Sequence, residues 1–177
     1  TETEIEGVIV VDVKSFGDER GCFMETYKKA DFVAGGIDCE FVQDNQSSSV
    51  KGVLRGLHFQ RGEHAQGKLV RVVVGTVLDV AVDIRKGSPT FGSWVATELS
   101  ADNHRQIFIP RGFAHGFSVL SDEAVFQYKC DNFYDPGSEG AIAWNDPDLA
   151  IDWRIPAQEI ILSAKDSNHP FLKDLEI

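Results

Sequence analysis

The chain is short of several things at once. Its 177 residues hold three cysteines, Cys22, Cys39 and Cys130, an odd number without the close spacing of a cysteine metal site. That count argues against a disulfide scaffold and for free thiols in a reducing compartment. Positive charge is scarce too: 17 lysines and arginines face 28 aspartates and glutamates, a formal net charge of −11. Such a field repels phosphate backbones and anionic bilayers, so neither nucleic acid nor a membrane surface is an expected partner. No apolar run approaches the length of a membrane span, and the acidic start Thr-Glu-Thr-Glu-Ile-Glu-Gly contains no apolar leader core. The expectation is a cytoplasmic, soluble protein.

Helical periodicity is nearly missing, being confined to Lys28 to Ala34 and short turns after Pro147. What is present instead is a series of β-branched and aromatic runs punctuated by glycine, proline and asparagine. Strands are expected over Val8 to Val13, Val53 to Gln60, Lys68 to Val74, Val77 to Ile84, Trp94 to Leu99, Arg105 to Ile109, Gly116 to Leu120 and Ala124 to Cys130. Gly75-Thr76, between two valine-rich runs, reads as a tight hairpin. Many short strands without intervening helices predict an all-β double-sheet jelly roll or barrel rather than a parallel α/β fold. The length suits one domain spanning 1–177, and the tail after Ser163 reads as loop.

One stretch carries chemistry. From Val53 to Arg71 a single histidine, His58, sits in an apolar strand-like run with Arg55 before it and Lys68 after it. A histidine titrates near neutral pH and can take a proton, while the cations can stabilise negative charge that develops on a substrate oxygen. That combination suits proton abstraction beside a carbonyl. Taken alone, His58 reads more readily as a core histidine satisfied by a backbone carbonyl, and Arg55 and Lys68 as solvated charges. Strict strand alternation would also put Arg55 and His58 on opposite faces. Both can line one pocket only if the backbone breaks register, and Gly56 is where a bulge could form.

The motifs closely resemble those of the dTDP-4-dehydrorhamnose 3,5-epimerases. They run in the family's order: Phe-Gly-Asp-Glu-Arg-Gly at 16–21, Phe-Val-Gln-Asp-Asn at 41–45, Val-Leu-Arg-Gly-Leu-His-Phe-Gln at 53–60, and Gln-Gly-Lys-Leu-Val-Arg at 66–71. Ile-Pro-Arg-Gly-Phe-Ala-His-Gly-Phe at 109–117, Tyr-Lys at 128–129, Ser-Glu-Gly at 138–140, Trp-Asn-Asp-Pro at 144–147 and Leu-Ser-Ala-Lys-Asp at 162–166 follow. The resemblance implies a cupin-type double-sheet jelly roll with short peripheral helices. It also implies action without a cofactor on a dTDP-linked 4-keto-6-deoxy sugar, and a homodimer whose active site crosses between subunits.

By that resemblance His58 is the base, Asp166 its orienting carboxylate, Lys68 the enolate stabiliser and Tyr128 the acid on the opposite face. Asp79 and Asp83 are rival partners for His58. Arg20, Glu25, Gln43, Asp44, Asn45, Arg55, His115, Tyr134, Glu139 and Lys165 match substrate-binding positions, with Lys68 counted among them. Read without the family, Gln43-Asp44-Asn45 is an ordinary loop and the Asp-Glu-Arg-Gly segment a charged turn. An acidic protein without a Gly-rich phosphate loop must hold a pyrophosphate with arginine and lysine side chains. No metal is expected, because the first cupin box reads His58-Phe59-Gln60 where a metal cupin needs a second histidine. Phe133-Tyr134 departs from the Tyr-Tyr pair frequent in relatives, which removes one hydroxyl near the nucleotide.

Overall fold

Residues 76–83 are buried almost without interruption, which a strand with one face in water never is. The reason is that this strand has a paired neighbour on each side, in a sheet covered on both faces. The computed structural model describes residues 1–175. In it β1 (Ile9–Val11), β4 (Gln43–Val50), β6 (Lys68–Val74), β9 (Gln106–Ile109) and β11 (Glu123–Cys130) form one sheet, in the order β1-β9-β6-β11-β4. The second sheet is built from β5 (Leu54–Gln60), β7 (Thr76–Asp83), β8 (Trp94–Ser100), β10 (Phe113–Val119) and β12 (Glu139–Ala141), in the order β12-β5-β10-β7-β8. Every ladder is antiparallel. A separate ribbon pairs β2 (Ser15–Asp18) with β3 (Gly21–Met24), and one short helix, α1, spans Lys29–Ala34. This is the expected all-β jelly roll with peripheral helical turns.

Between the sheets Val70, Val72, Ile107, Ile109, Ala124 and Phe126 meet Val77, Ala81, Leu99, Phe113, Phe117 and Val119. The outer face of the second sheet packs Leu57, Leu78, Val80, Val82 and Ala114 against Ile142, Leu149 and Trp153 from the chain after β12. Full burial of side chains of this size stabilises by about 1.5–3 kcal/mol each.

The step at Gly75 is not a hairpin. β6 and β7 belong to different sheets, so the chain crosses from one layer to the other there. Gly75 has φ +78, and a Cβ on it would lie 1.9 Å from the Glu123 carbonyl oxygen, so only glycine permits the crossing. The valine-rich runs on either side are strands as expected, but alternation cannot tell a paired neighbour from a strand in the opposite layer. Gln43-Asp44-Asn45, which reads as an ordinary loop without the family, opens an eight-residue edge strand, Gln43–Val50, along β11. Its outward residues meet solvent, so its sequence carries no continuous apolar signal. The charged turn at Asp18–Gly21 is the tip of the β2–β3 ribbon.

Candidate active site

The bulge required at Gly56 is present. Across β5 and β10, His58 faces His115 and Arg55 faces Phe117, so two residues of β5, Gly56 and Leu57, stand opposite Gly116 alone. Gly56 has φ +127, and a Cβ there would come within 2.5 Å of Gly116 Cα and 2.8 Å of the His115 oxygen. The close crossing of two glycines turns Arg55 to the same side as His58. Both line a cavity of about 190 Å³ inside the sandwich, with Gln46, Ser47, Lys68, His115, Phe126 and Tyr128.

His58 Nε2 lies 2.5 Å from Asp166 Oδ1, and Asp166 sits on a short 3-10 turn, Asp166–Asn168, in the C-terminal segment. Ser163 Oγ donates to Asp166 Oδ2 at 2.9 Å, and His169 Nε2 lies 3.2 Å from Oδ1. Burial by itself would raise the Asp166 pKa, but the hydrogen bonds from His58, Ser163 and His169 outweigh it and hold the carboxyl below its usual range. Asp166 is therefore an anion that accepts. The His58 nitrogen facing it carries the hydrogen, and Nδ1 is left with the lone pair.

The rival carboxylates are engaged elsewhere. Asp79 Oδ2 is 2.9 Å from His115 Nε2, with both side chains buried, and Asp83 binds Arg85, Ser88 and Thr90. Burial pushes the His115 pKa down against the pull of Asp79, which favours a neutral ring on the cavity wall. Asp79 Oδ1 is buried without a hydrogen-bond partner among the described residues.

Lys68 opens β6 on the facing sheet. Burial lowers its pKa, while Cys130, Asp79 and Glu139 act in the opposite sense. A desolvated ammonium exerts a stronger field than a solvated one. Its Nζ lies 5.8 Å from the centre of the Tyr128 ring. Tyr128 follows Ala124 and Phe126 on the inward face of β11, and burial raises its phenol pKa, so it keeps its proton. The Cys130 thiol next along this face is pushed up to about 11 by burial and stays neutral.

Tyr134, Glu139 and Lys165 form a second cluster. The Tyr134 hydroxyl donates to Glu139 Oε2 at 3.0 Å, and Lys165 Nζ reaches the same oxygen at 2.5 Å. Gln43 accepts from the Tyr134 backbone N–H, Asn45 accepts from Gln43, and Asp44 pairs with Lys129. Arg55 is held by Ser49 Oγ at 3.2 Å. Arg20 and Glu25 are not brought to the cavity. Arg20 is exposed and bonded to Asp18 at the ribbon tip, and Glu25 is also exposed. A larger cleft of about 500 Å³ crosses the outer face of the first sheet past Arg71, Gln127 and Lys129, but it contains no histidine.

Three residues of the site were not anticipated: His169, Ser163 and Gln60. Gln60 ties the 131–135 loop to β5 by donating to the Phe133 carbonyl and accepting from the Asp135 N–H. His169 had a legible signal, since it follows Asp166 by three residues and 3-10 geometry stacks such positions. Ligand atoms of His58, Asp166 and His169 lie within 4.8 Å of one another, the closest approach to a metal cluster among the described residues. Both histidine nitrogens already address the same Asp166 oxygen, so an ion there would have to break the pair. The set is occupied by its own hydrogen bonds, which fits a bonded histidine–carboxylate pair better than a metal.

Known proteins resemble the chain over nearly its whole length. The profile of the family described as dTDP-4-dehydrorhamnose 3,5-epimerase matches residues 2–174. The chain is 59% identical over 168 residues to the dTDP-4-dehydrorhamnose 3,5-epimerase of Shigella flexneri, covering 94% of this chain and 92% of that one. It is 41% identical over 165 residues to a dTDP-4-dehydrorhamnose 3-epimerase of Streptomyces niveus, covering 93% and 79%. The crystal structure of a Legionella pneumophila 3,5-epimerase in complex with dTDP-4-keto-L-rhamnose superposes with a TM-score of 0.94 at 51% identity, covering 98% of this chain and 92% of that one. With a profile match over nearly its whole length and relatives this similar, the chain belongs to the dTDP-4-dehydrorhamnose 3,5-epimerase family.

Proposed function

We propose that this chain, acting as one domain, inverts C3 and C5 of dTDP-4-dehydro-6-deoxy-D-glucose to give dTDP-4-dehydro-L-rhamnose, a step of dTDP-L-rhamnose biosynthesis. One observation carries the reading. A histidine backed by an ionised aspartate lines one side of a cavity, and a protonated tyrosine and a buried lysine line it from the facing sheet.

The C4 ketone acidifies the hydrogens on both neighbouring carbons. His58 Nδ1 takes one of them, the C–H electron pair moves into the C3–C4 or C4–C5 bond, and the carbonyl π pair moves to the C4 oxygen. The Lys68 ammonium stabilises that enolate oxygen, and Asp166 stabilises the imidazolium. The Tyr128 phenol then delivers its proton to the same carbon from the other face as the ketone re-forms. His58 returns its proton to solvent and Tyr128 recovers one, so the cycle consumes nothing and needs no cofactor.

Arg55 and His115 contact the sugar. Tyr134, Gln43, Asp44 and Asn45 contact the nucleotide, and Glu139 and Lys165 contact the nucleotide or the sugar. Arg20 and Glu25 serve the pocket of a second copy in a homodimer. The exposed, cross-paired Phe16 and Phe23 on the ribbon support that role, because an apolar pair on a projecting ribbon gains by docking on another surface.

The test is incubation with the substrate in deuterated water, without added metal, followed by NMR at C3 and C5. Exchange at both carbons with formation of the L-sugar is expected. Exchange at one carbon would make the chain a mono-epimerase like the Streptomyces niveus relative, and no exchange from folded protein would overturn the reading.

A further inference from the structure

The mechanism uses two groups of the Asp166 cluster and leaves a third unexplained. His169 is nearly buried, its side chain 12% exposed, and its Nε2 points at the same carboxylate oxygen that His58 uses. The two imidazoles meet edge to face, with ring centres 5.9 Å apart and planes at 89°. No other hydrogen bond of the His169 ring is found among the described residues.

We infer that His169 is a positioning residue for the base: it is a second N–H donor on Asp166 Oδ1 that fixes the carboxylate and limits its pull on His58. The inference rests on His58 being the base. An ionised carboxylate only accepts, so His58 and His169 must both present Nε2–H to Oδ1. With Ser163 Oγ on Oδ2, the carboxylate is tied at both oxygens and cannot swing when His58 gains a proton. Two donors on one oxygen also compete for it. The share taken by His169 is withdrawn from His58, which makes the imidazolium slightly less favourable. If His169 itself becomes cationic it opposes the imidazolium more strongly. Removal of His169 therefore moves the basicity of His58 upward in either protonation state.

The other charges around the dyad are fixed by separate elements. On the near side Glu139 of β12, opposite Gln60, lies within the electrostatic reach of His58 and is paired with Lys165. From His58's own sheet come Arg55 of β5 and His115 of β10, the latter backed by Asp79 of β7, and from the facing sheet come Lys68 of β6 and Tyr128 of β11. None of these has a hydrogen bond or ion pair to His169, so a change at 169 leaves their direct contacts in place.

The experiment compares His169→Phe, which keeps a planar ring and loses the donor, with His169→Gln, whose amide can donate to the same oxygen. His58→Ala is the control. For His169→Phe, kcat should fall roughly ten-fold with KM within about two-fold, the low end for a lost hydrogen bond to a charged group. The acidic limb of its kcat/KM profile should move to higher pH. His169→Gln should recover most of kcat. Wild-type kcat and an unmoved limb in His169→Phe would overturn the inference, as would His169→Gln behaving like the Phe variant, which marks a packing role alone. If His58→Ala still exchanges the C3 and C5 hydrogens, the reading of His58 is at fault instead.

Discussion

His58 and Asp166, 108 positions apart in the chain, place Nε2 and Oδ1 within 2.5 Å of each other at the wall of the central cavity. The bond determines which ring nitrogen is free. Asp166→Asn would keep the size of the side chain but replace a fixed acceptor by an amide that can present its donor to the ring, favouring the wrong tautomer. We expect kcat to fall on the order of 10³-fold with little change in KM, as measured by steady-state turnover and by deuterium incorporation.

Removal of the Tyr128 hydroxyl should separate the two halves of the proposed reaction. Tyr128→Phe should still lose substrate hydrogens to deuterated solvent while yielding little inverted product. Turnover at the wild-type rate would show that another group delivers the proton.

Gly56 and Gly116 cross so closely that neither has room for a methyl group, a Cβ on Gly116 falling 2.7 Å from the Arg55 oxygen. Gly56→Ala should destabilise the fold by about 2 kcal/mol or more in urea unfolding, since φ +127 is also unfavourable to alanine. Any folded fraction should exchange slowly, because Arg55 and His58 no longer share a side.

Asp83 reports on acid stability. Burial would raise its pKa, but bonds from Arg85, Ser88 and Thr90 depress it well below 3.8. A carboxylate depressed in the folded state contributes its full stability above the unfolded value and loses it as pH falls toward the folded one. Asp83→Asn should therefore lower the unfolding free energy at pH 7 by about 2 kcal/mol. It should also flatten the decline expected below about pH 4 with the native residue. Denaturant titrations at several pH values measure both.

The proposed subunit-crossing site predicts complementation. Arg20→Ala should raise KM, and His58→Ala should abolish turnover. Mixed dimers of the two would hold one pocket with His58 from one copy and Arg20 from the other. At low substrate the re-equilibrated mixture should exceed the mean of its components. Activity equal to that mean would place Arg20 in its own subunit's pocket.

The sequence by itself determined the all-β class and most strands of both sheets, because strand alternation and glycine punctuation are local signals, whereas the site residues were legible through the family resemblance of the motifs that carry them. It also posed the register problem at Gly56, since a period of two forbids Arg55 and His58 from sharing a face unless the chain bulges. Gln43–Val50 escaped because a polar edge strand owes its existence to β11 rather than to its own composition. Gly75 looked like a hairpin because nothing local distinguishes a turn to a neighbour from a turn to the opposite layer. Only the tertiary structure decided which carboxylate serves which histidine. Asp79 and Asp166 are alike as residues, and burial of one behind His115 and docking of the other beside His58 are set by how the C-terminal segment packs over the second sheet.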